Sequence, residues 1–149
     1  HFRITRDVAP KINKPKPALI HNIMIPPLGG PKGKMSGSNE NETIYTTDSP
    51  ETVKKKINKY AFSGGQPDIE EHRKKGGNPD IDVSYQYLRI FFEPDDKKLK
   101  QIYDDYRSGK MLTGELKIIL IDKINEFLKS HQEKREKARN QLEKFLLKD

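Results

Sequence analysis

Apolar positions in the second two thirds of the chain follow helical spacing. After residue 48 they recur every three or four residues, between capping residues and glycines or prolines. The predicted helices begin at Asp48 or Ser49, Asp68, Asp82, near Leu99 and at Thr113, and they end at Gly64, Gly76, Pro94, Gly109 and beyond Leu128. A mainly α fold is therefore expected.

The same spacing predicts which residues form the core. The predicted inward-facing residues are Val53, Ile57, Tyr60, Ala61, Val83, Tyr87, Leu88, Phe91, Leu99, Ile102, Tyr103, Tyr106, Leu116, Ile119, Leu120, Ile124, Phe127 and Leu128. Residues 131–141 carry charges of both signs and predict an exposed helix. Beyond it, an apolar face resumes that must pack on another surface, formed by Leu142, Phe145, Leu146 and Leu147.

Before residue 48 the pattern is different. Residues 18–25, ALIHNIMI, form a continuous apolar run between two prolines, which predicts a buried strand. Residues 26–33 contain too much proline and glycine for a regular element and predict a loop. We therefore place a domain boundary near residue 47.

Composition favours a helical unit with a modest core and much solvated surface. Apolar residues make up 32% and charged residues 34% of the chain, whose mean hydropathy is −0.93. Most of the net charge of +7 arises in the first 60 residues, where there are 11 Lys/Arg and 5 Asp/Glu. That excess fits a polyanion partner, and equally a solvated lysine-rich surface.

Several functional classes are excluded or unsupported. The absence of cysteine excludes disulfides, thiolate zinc sites and thiol nucleophiles. No apolar window approaches the length that a membrane span needs, so we expect no membrane partner. The four histidines lack metal-ligand spacing, and we expect no metal site in the chain and capping or surface roles for each histidine.

Residues 34–38, called the 34–38 loop below, combine groups that bind phosphate. Lys34 offers an ammonium group, Ser36 and Ser38 offer hydroxyls, and Gly37 leaves room for backbone N–H groups to approach an anion. A plain surface loop has the same composition, so the residues alone leave both interpretations open.

A family resemblance favours the phosphate site. The 34–38 loop, KMSGS, resembles the second signature of class I aminoacyl-tRNA synthetases. Together with it, six strings resemble tryptophanyl-tRNA synthetases of the eukaryotic and archaeal type: FRITRDVA at 2–9, PKPAL at 15–19, AFSGG at 61–65, EEHR at 70–73, GGN at 76–78 and LTGELK at 112–117. The resemblance covers about residues 1–120.

The resemblance implies a fold and a reaction. Residues 1–47 would be the tail of a Rossmann-type α/β catalytic domain, and residues 48–149 an all-helical domain that binds the tRNA anticodon. The reaction would be ATP-dependent activation of L-tryptophan to tryptophanyl-adenylate, followed by transfer to its tRNA. Positioning and charge stabilisation supply most of the acceleration in such a reaction.

The resemblance also assigns residues. Lys34, Ser36 and Ser38 would be catalytic, and the whole 34–38 loop, including Met35 beside the adenine and Gly37, would bind ATP with its Mg²⁺. Phe2 would line the tryptophan pocket, or else be a core residue. The tRNA-binding candidates, chosen for expected exposure, are Gln66, Arg73 and Asn78. A cytoplasmic homodimer is implied for the full-length enzyme.

Two departures limit what the chain does alone. Gly37 stands where many class I members have a second lysine, although a small residue is usual in the tryptophan branch. No His-x-Gly-His string, the first class I signature, occurs, so we expect this chain alone to be inactive. The alternatives are a tyrosyl-tRNA synthetase and a non-catalytic tRNA-binding or signalling module derived from such an enzyme.

Overall fold

The computed structural model describes residues 1–146, and within them all regular structure is helical. The α-helices are Phe2–Val8 (α1), Pro50–Tyr60 (α2), Ile69–Lys75 (α3), Val83–Tyr87 (α4), Asp96–Arg107 (α5) and Thr113–Arg139 (α6). A π-helical turn, Leu88–Phe92, continues α4, and 3₁₀ turns occupy Ala9–Ile12 and Leu142–Lys144. The expectation of a mainly α chain is confirmed; the predicted contribution of Leu147 lies outside the described residues.

Side-chain caps explain where most of these helices begin. The caps are Ser49 for α2, Asp68 for α3, Asp82 for α4 and Asp95 for α5, and each accepts a backbone N–H of the first turn. Helix α6 differs, because the Glu115 carboxylate accepts the N–H of Leu112 at 2.6 Å. The prediction that Thr113 caps α6 is wrong: its hydroxyl instead contacts Ser63 and Tyr106.

Helix α6 is the central helix of the core and packs against α2, α4 and α5. The buried apolar residues of this core are Leu28, Val53, Ile57, Ala61, Val83, Tyr85, Tyr87, Leu88, Ile102, Tyr106, Leu116, Leu120, Ile121, Ile124 and Leu128. Two predicted core residues are exposed, Phe91 by 53% and Phe127 by 54%. Both belong to an aromatic cluster at the border of the core, where Phe92 meets Phe127 edge to face at 6.0 Å between ring centroids.

The Pro/Gly-rich segment is joined to the helices. Leu28 is fully buried in their core, and its carbonyl accepts the N–H of Phe62 at 2.8 Å. Helix α2 therefore ends at Tyr60, and the prediction that it continues to Gly64 is wrong. Ala61 is extended and Phe62 is already engaged with the segment before α2.

The predicted strand at 18–25 is wrong for the described residues. These eight residues have no regular structure, and six of them are exposed. A strand needs a neighbouring strand for its N–H and C=O groups, and residues 1–146 include none. Throughout residues 1–24, Ala9 is the single buried side chain. No helix within the described residues is long and apolar enough to cross a membrane.

Candidate functional site

The 34–38 loop lies on the surface and leads into a tight turn formed by residues 36–39. The Asn39 N–H donates to the Ser36 carbonyl at 3.2 Å, which closes the turn. Lys34, Ser36, Gly37 and Ser38 are exposed, and the Ser36 and Ser38 hydroxyls lie 2.8 Å apart. One ammonium and two paired hydroxyls of the same short loop are thus exposed to solvent, and these are groups that bind phosphate.

Met35 anchors the front of the loop. Its N–H donates to the Ile25 carbonyl at 2.8 Å, and its half-buried side chain packs against the helical core. There it lines an apolar pocket of about 320 Å³ together with Phe92 and Phe127. In this conformation Met35 points at the core, whereas the predicted adenine contact requires an open position beside the loop.

Two hydroxyls hold the back of the loop. Thr43 Oγ1 donates to the Ser36 carbonyl at 2.6 Å, and Tyr45 Oη donates to the Gly37 carbonyl at 2.7 Å. Thr43 is 5% exposed, so its hydroxyl has no ready alternative partner in water. The backbone of residues 36 and 37 is therefore held from within the protein, while the side chains of Lys34, Ser36 and Ser38 are exposed.

Helices α2 and α6 support these two residues. Lys56 on α2 pairs with Asp48 at 2.7 Å and also donates to the Thr43 carbonyl at 2.9 Å. The Asp48 carboxylate accepts the N–H of Tyr45 at 2.9 Å. Gln132 on α6 donates to the carbonyls of Thr46 and Asp48 at 3.0 and 3.1 Å. These contacts join the segment behind the loop to the helical core.

The predicted tryptophan-pocket residue lies on α1. Phe2 is 62% exposed and meets His21 edge to face, with 5.9 Å between ring centroids. Arg6 on the same helix donates to the Pro17 carbonyl at 2.6 Å. Phe2 is therefore not a core residue within the described chain, which leaves its ring available to a ligand or to further protein.

The three predicted tRNA contacts all make bonds within the chain. Gln66 donates its side-chain amide to Gly76 O at 3.0 Å, and Arg73 donates to Gly109 O at 2.9 Å. The Asn78 side chain accepts the N–H of Asp80 at 3.0 Å. Gln66 also lines an open pocket between α3 and α6, which includes neither Arg73 nor Asn78. The structure does not bring the three into one site.

A buried polar network lies next to this pocket, and sequence reasoning missed it. Tyr106 Oη donates to the Asp82 carboxylate at 2.8 Å and also lies 3.1 Å from the Thr113 hydroxyl and 3.3 Å from that of Ser63. Burial, together with the Asp82 charge, raises the pKa of Tyr106 to about 12. Asp82 also accepts the N–H of Gly64 at 2.9 Å, so its buried charge is well solvated by the protein.

His72 belongs to the same region and is buried, so the expectation of a capping or surface role is wrong for it. Its Nδ1 accepts the N–H of Gln66 at 3.3 Å, and its Nε2 lies 2.9 Å from the Met111 carbonyl. These partners specify the neutral tautomer that carries its hydrogen on Nε2. The EEHR string therefore contributes a core histidine that joins α3 to the turn before α6.

The paired glycines of the motif strings allow close packing around this network. A Cβ on Gly64 would lie 2.0 Å from the Asn78 carbonyl oxygen, and one on Gly77 would lie 2.5 Å from the Tyr106 ring. The AFSGG and GGN strings could have indicated such contacts, because glycine pairs outside helices often mark close backbone approach. Within residues 1–146 no three His, Asp or Glu side chains form a metal-binding group.

The comparisons with known proteins agree with the motif strings. The family model described as tRNA synthetases class I (W and Y) matches residues 1–129. The tryptophan–tRNA ligase of Sulfurisphaera tokodaii is 59% identical over 145 residues, which are 97% of this chain and 38% of that protein. The cytoplasmic tryptophan–tRNA ligase of Homo sapiens is 51% identical over 97% of this chain and 30% of its own length.

A solved structure gives the same result for the fold. The tryptophanyl-tRNA synthetase of the archaeon Aeropyrum pernix matches with a TM-score of 0.87 and 37% identity, over 94% of this chain and 38% of that one. The chain thus spans about 38% of the length of its archaeal relatives. Because the family model covers most of the sequence, the chain belongs to the class I tRNA synthetases of the tryptophan and tyrosine group.

Proposed function

We propose that the protein carrying this chain is a tryptophan–tRNA ligase, which activates L-tryptophan with ATP and transfers it to its tRNA. The observation that carries the proposal is the exposure of Lys34, Ser36 and Ser38 on one short loop whose backbone is held by internal hydrogen bonds. This loop occurs in a chain 59% identical to an archaeal tryptophan–tRNA ligase.

In the proposed mechanism the 34–38 loop binds the phosphates of the ATP–Mg²⁺ substrate. Lys34 holds the leaving pyrophosphate, and the hydroxyls of Ser36 and Ser38 donate to phosphate oxygens. Because Gly37 carries no charge, Lys34 is the cation that the loop itself provides. Contact of Met35 with adenine requires its side chain to leave the apolar pocket. We propose that this side chain, rather than the backbone of residues 36–38, changes position when ATP binds.

We propose the same division of the chain as the family resemblance implies. Residues 1–47 complete a Rossmann-type catalytic domain, and residues 48–149 are the anticodon-binding domain. The exposed apolar side chains of residues 18–25 support this division, because an apolar surface of this kind is suited to packing against further protein. Residues 25–46, however, pack on the helices, so the two domains would share an extensive boundary.

The substrate contacts are proposed with different support. Phe2 is exposed and free to form one wall of a tryptophan pocket. Gln66 is the best supported tRNA contact, because it lines an open pocket beside Asp68 and Glu115. Arg73 and Asn78 remain proposed contacts, each of which would have to bind RNA while keeping or exchanging its present hydrogen bond. A cytoplasmic homodimer is proposed from the cytoplasmic relatives and the family resemblance.

Pyrophosphate exchange and aminoacylation test the proposal. The full natural protein that carries this chain should exchange pyrophosphate into ATP with tryptophan and not with tyrosine. Lys34→Met should lower kcat/KM for ATP by about 100-fold, as expected for loss of a group aimed at developing charge. Lys55→Met, which changes an exposed lysine of α2, is the matched control and should leave exchange unchanged.

Each of the other outcomes counts against a defined part of the proposal. Exchange with tyrosine would support the tyrosyl alternative, and tRNA binding with no exchange would support the non-catalytic module. The isolated 149-residue chain should form no tryptophanyl-adenylate. Turnover by that chain would show that the missing first signature is not needed.

A further inference from the structure

We propose that the hydroxyls of Thr43 and Tyr45 are positioning groups, which orient two backbone N–H groups of the 34–38 loop toward the phosphates of ATP. The proposal rests on the proposed function and adds two residues outside the signature string. It also assigns a purpose to the contacts behind the loop.

The orientation follows from the planarity of the peptide group. No peptide bond in the described chain is cis, and in a trans peptide the C=O and the following N–H point in opposite directions. Because the Ser36 carbonyl faces the Thr43 hydroxyl, the N–H of Gly37 points away from Thr43. The Gly37 carbonyl faces Tyr45 Oη in the same way, so the N–H of Ser38 points away from Tyr45.

Both N–H groups are therefore directed to the exposed side of the turn. Within residues 1–146 neither of them donates to a protein acceptor. Successive backbone N–H groups in a turn bind anions, and fixed donors lose no reorganisation energy when a phosphate arrives. Lys34 and the hydroxyls of Ser36 and Ser38 lie in the same loop, so charge and donors are available together.

The two positioning residues are themselves held rigidly. The Thr43 carbonyl accepts from Lys56, and the Lys56 ammonium also lies over the Tyr45 ring, 4.6 Å from its centroid. The Lys56 and Asp48 side chains are only 12% and 11% exposed, and Asp48 accepts the N–H of Tyr45. Helix α2 thereby fixes both hydroxyls, and through them the peptide planes of the loop.

Removal of each hydroxyl at constant shape tests the proposal in the full natural protein. We would make Tyr45→Phe, Thr43→Val and the double variant, and measure tryptophan-dependent pyrophosphate exchange. Each single variant should raise KM for ATP by about 3- to 10-fold, the range expected for one hydrogen bond, and the double variant should raise it further. KM for tryptophan should not change, because the hydroxyls face only the phosphate loop.

Two further variants separate positioning from stability. Thr43→Ser keeps the hydroxyl and should retain the parent KM for ATP even if loss of the methyl lowers Tm. Thr47→Val makes the same change as Thr43→Val at an exposed threonine and should have no effect. An unchanged KM for ATP in the double variant would overturn the proposal, as would equal rises in the KM values for ATP and tryptophan. If the parent protein shows no exchange at all, the proposed function itself fails instead.

Discussion

Substitution of Gly76 by alanine should strongly destabilise the helical part of the protein. Gly76 ends α3 with φ +73° and ψ 176°, a conformation that is essentially restricted to glycine. A Cβ at this position would lie 1.8 Å from the carbonyl oxygen of Arg107 and 2.6 Å from its carbon. Both contacts are with backbone at the end of α5, which cannot rotate away as a flexible side chain can.

The expected magnitude combines strain and overlap. The unfavourable backbone conformation costs about 1–3 kcal/mol, and overpacking that moves backbone costs about another 1–3 kcal/mol, so the free energy of unfolding should fall by roughly 2–6 kcal/mol. Gly114→Ala is the matched control, because a Cβ at this helical position meets no atom within 4 Å. Alanine is the better helix former, so this variant should be stabilised by up to about 1 kcal/mol.

Urea denaturation followed by far-UV circular dichroism measures both variants, and hydrogen exchange locates the change. The Gly76→Ala variant should lose protection first at the junction of α3 with the end of α5. A midpoint for Gly76→Ala equal to that of Gly114→Ala would refute the reasoning. It would mean that the α3–α5 contact relaxes without significant energetic consequence.

Two further predictions concern the core and its charged edge. Burial opposes ionisation of Glu93, but the Asp95 N–H and the ammonium groups of Lys98 and Lys123 outweigh it and lower its pKa below 4.5. Its ion pairs should thus stabilise the fold above that pH, and this stabilisation should be lost as the pH falls through the folded-state pKa. A plot of Tm against pH should therefore fall less steeply on its acid side for Glu93→Gln than for the parent. Leu28→Ala should lower the free energy of unfolding by about 2–5 kcal/mol, because this side chain of residues 25–47 is fully buried against the helices. Limited proteolysis should then cut residues 25–47 faster than in the parent. Equal steepness on the acid side for the parent and Glu93→Gln, or unchanged cleavage in Leu28→Ala, would contradict these expectations.

Local signals in the sequence predict most of the helix starts and ends. Asp68, Asp82 and Gly109 delimit elements because capping and left-handed termination depend on a few neighbouring residues. The end of α2 was misplaced because it is decided by Leu28, more than thirty residues earlier in the chain. The Thr113 cap failed for a similar reason, since its hydroxyl is taken by Ser63 and Tyr106.

The sequence predicts which residues form the candidate site, but not the hydrogen bonds that hold the loop in place. The KMSGS string is visible in the sequence itself. The hydrogen bonds from Thr43 and Tyr45 depend on a reversal of the chain after the loop, which no sequence pattern indicates. The strand predicted at 18–25 depends on partners that are absent from residues 1–146. Tyr106 was correctly placed in the core, but its polar role was missed because apolar periodicity does not reveal the hydroxyl groups around it.

The long reach from α6 to the segment behind the 34–38 loop imposes an order of events during protein synthesis. Gln132 donates to Thr46, a residue that leaves the ribosome 86 residues earlier. At about 5–20 residues per second, translation of that interval takes roughly 4–17 s. Throughout this time the nascent loop lacks one of its supports, and α2 and the loop must wait for α6 before the full arrangement closes. A ribosome that pauses before Gln132 would therefore hold a chain whose 34–38 loop is incompletely supported, and chaperone binding and proteolysis would then compete with folding.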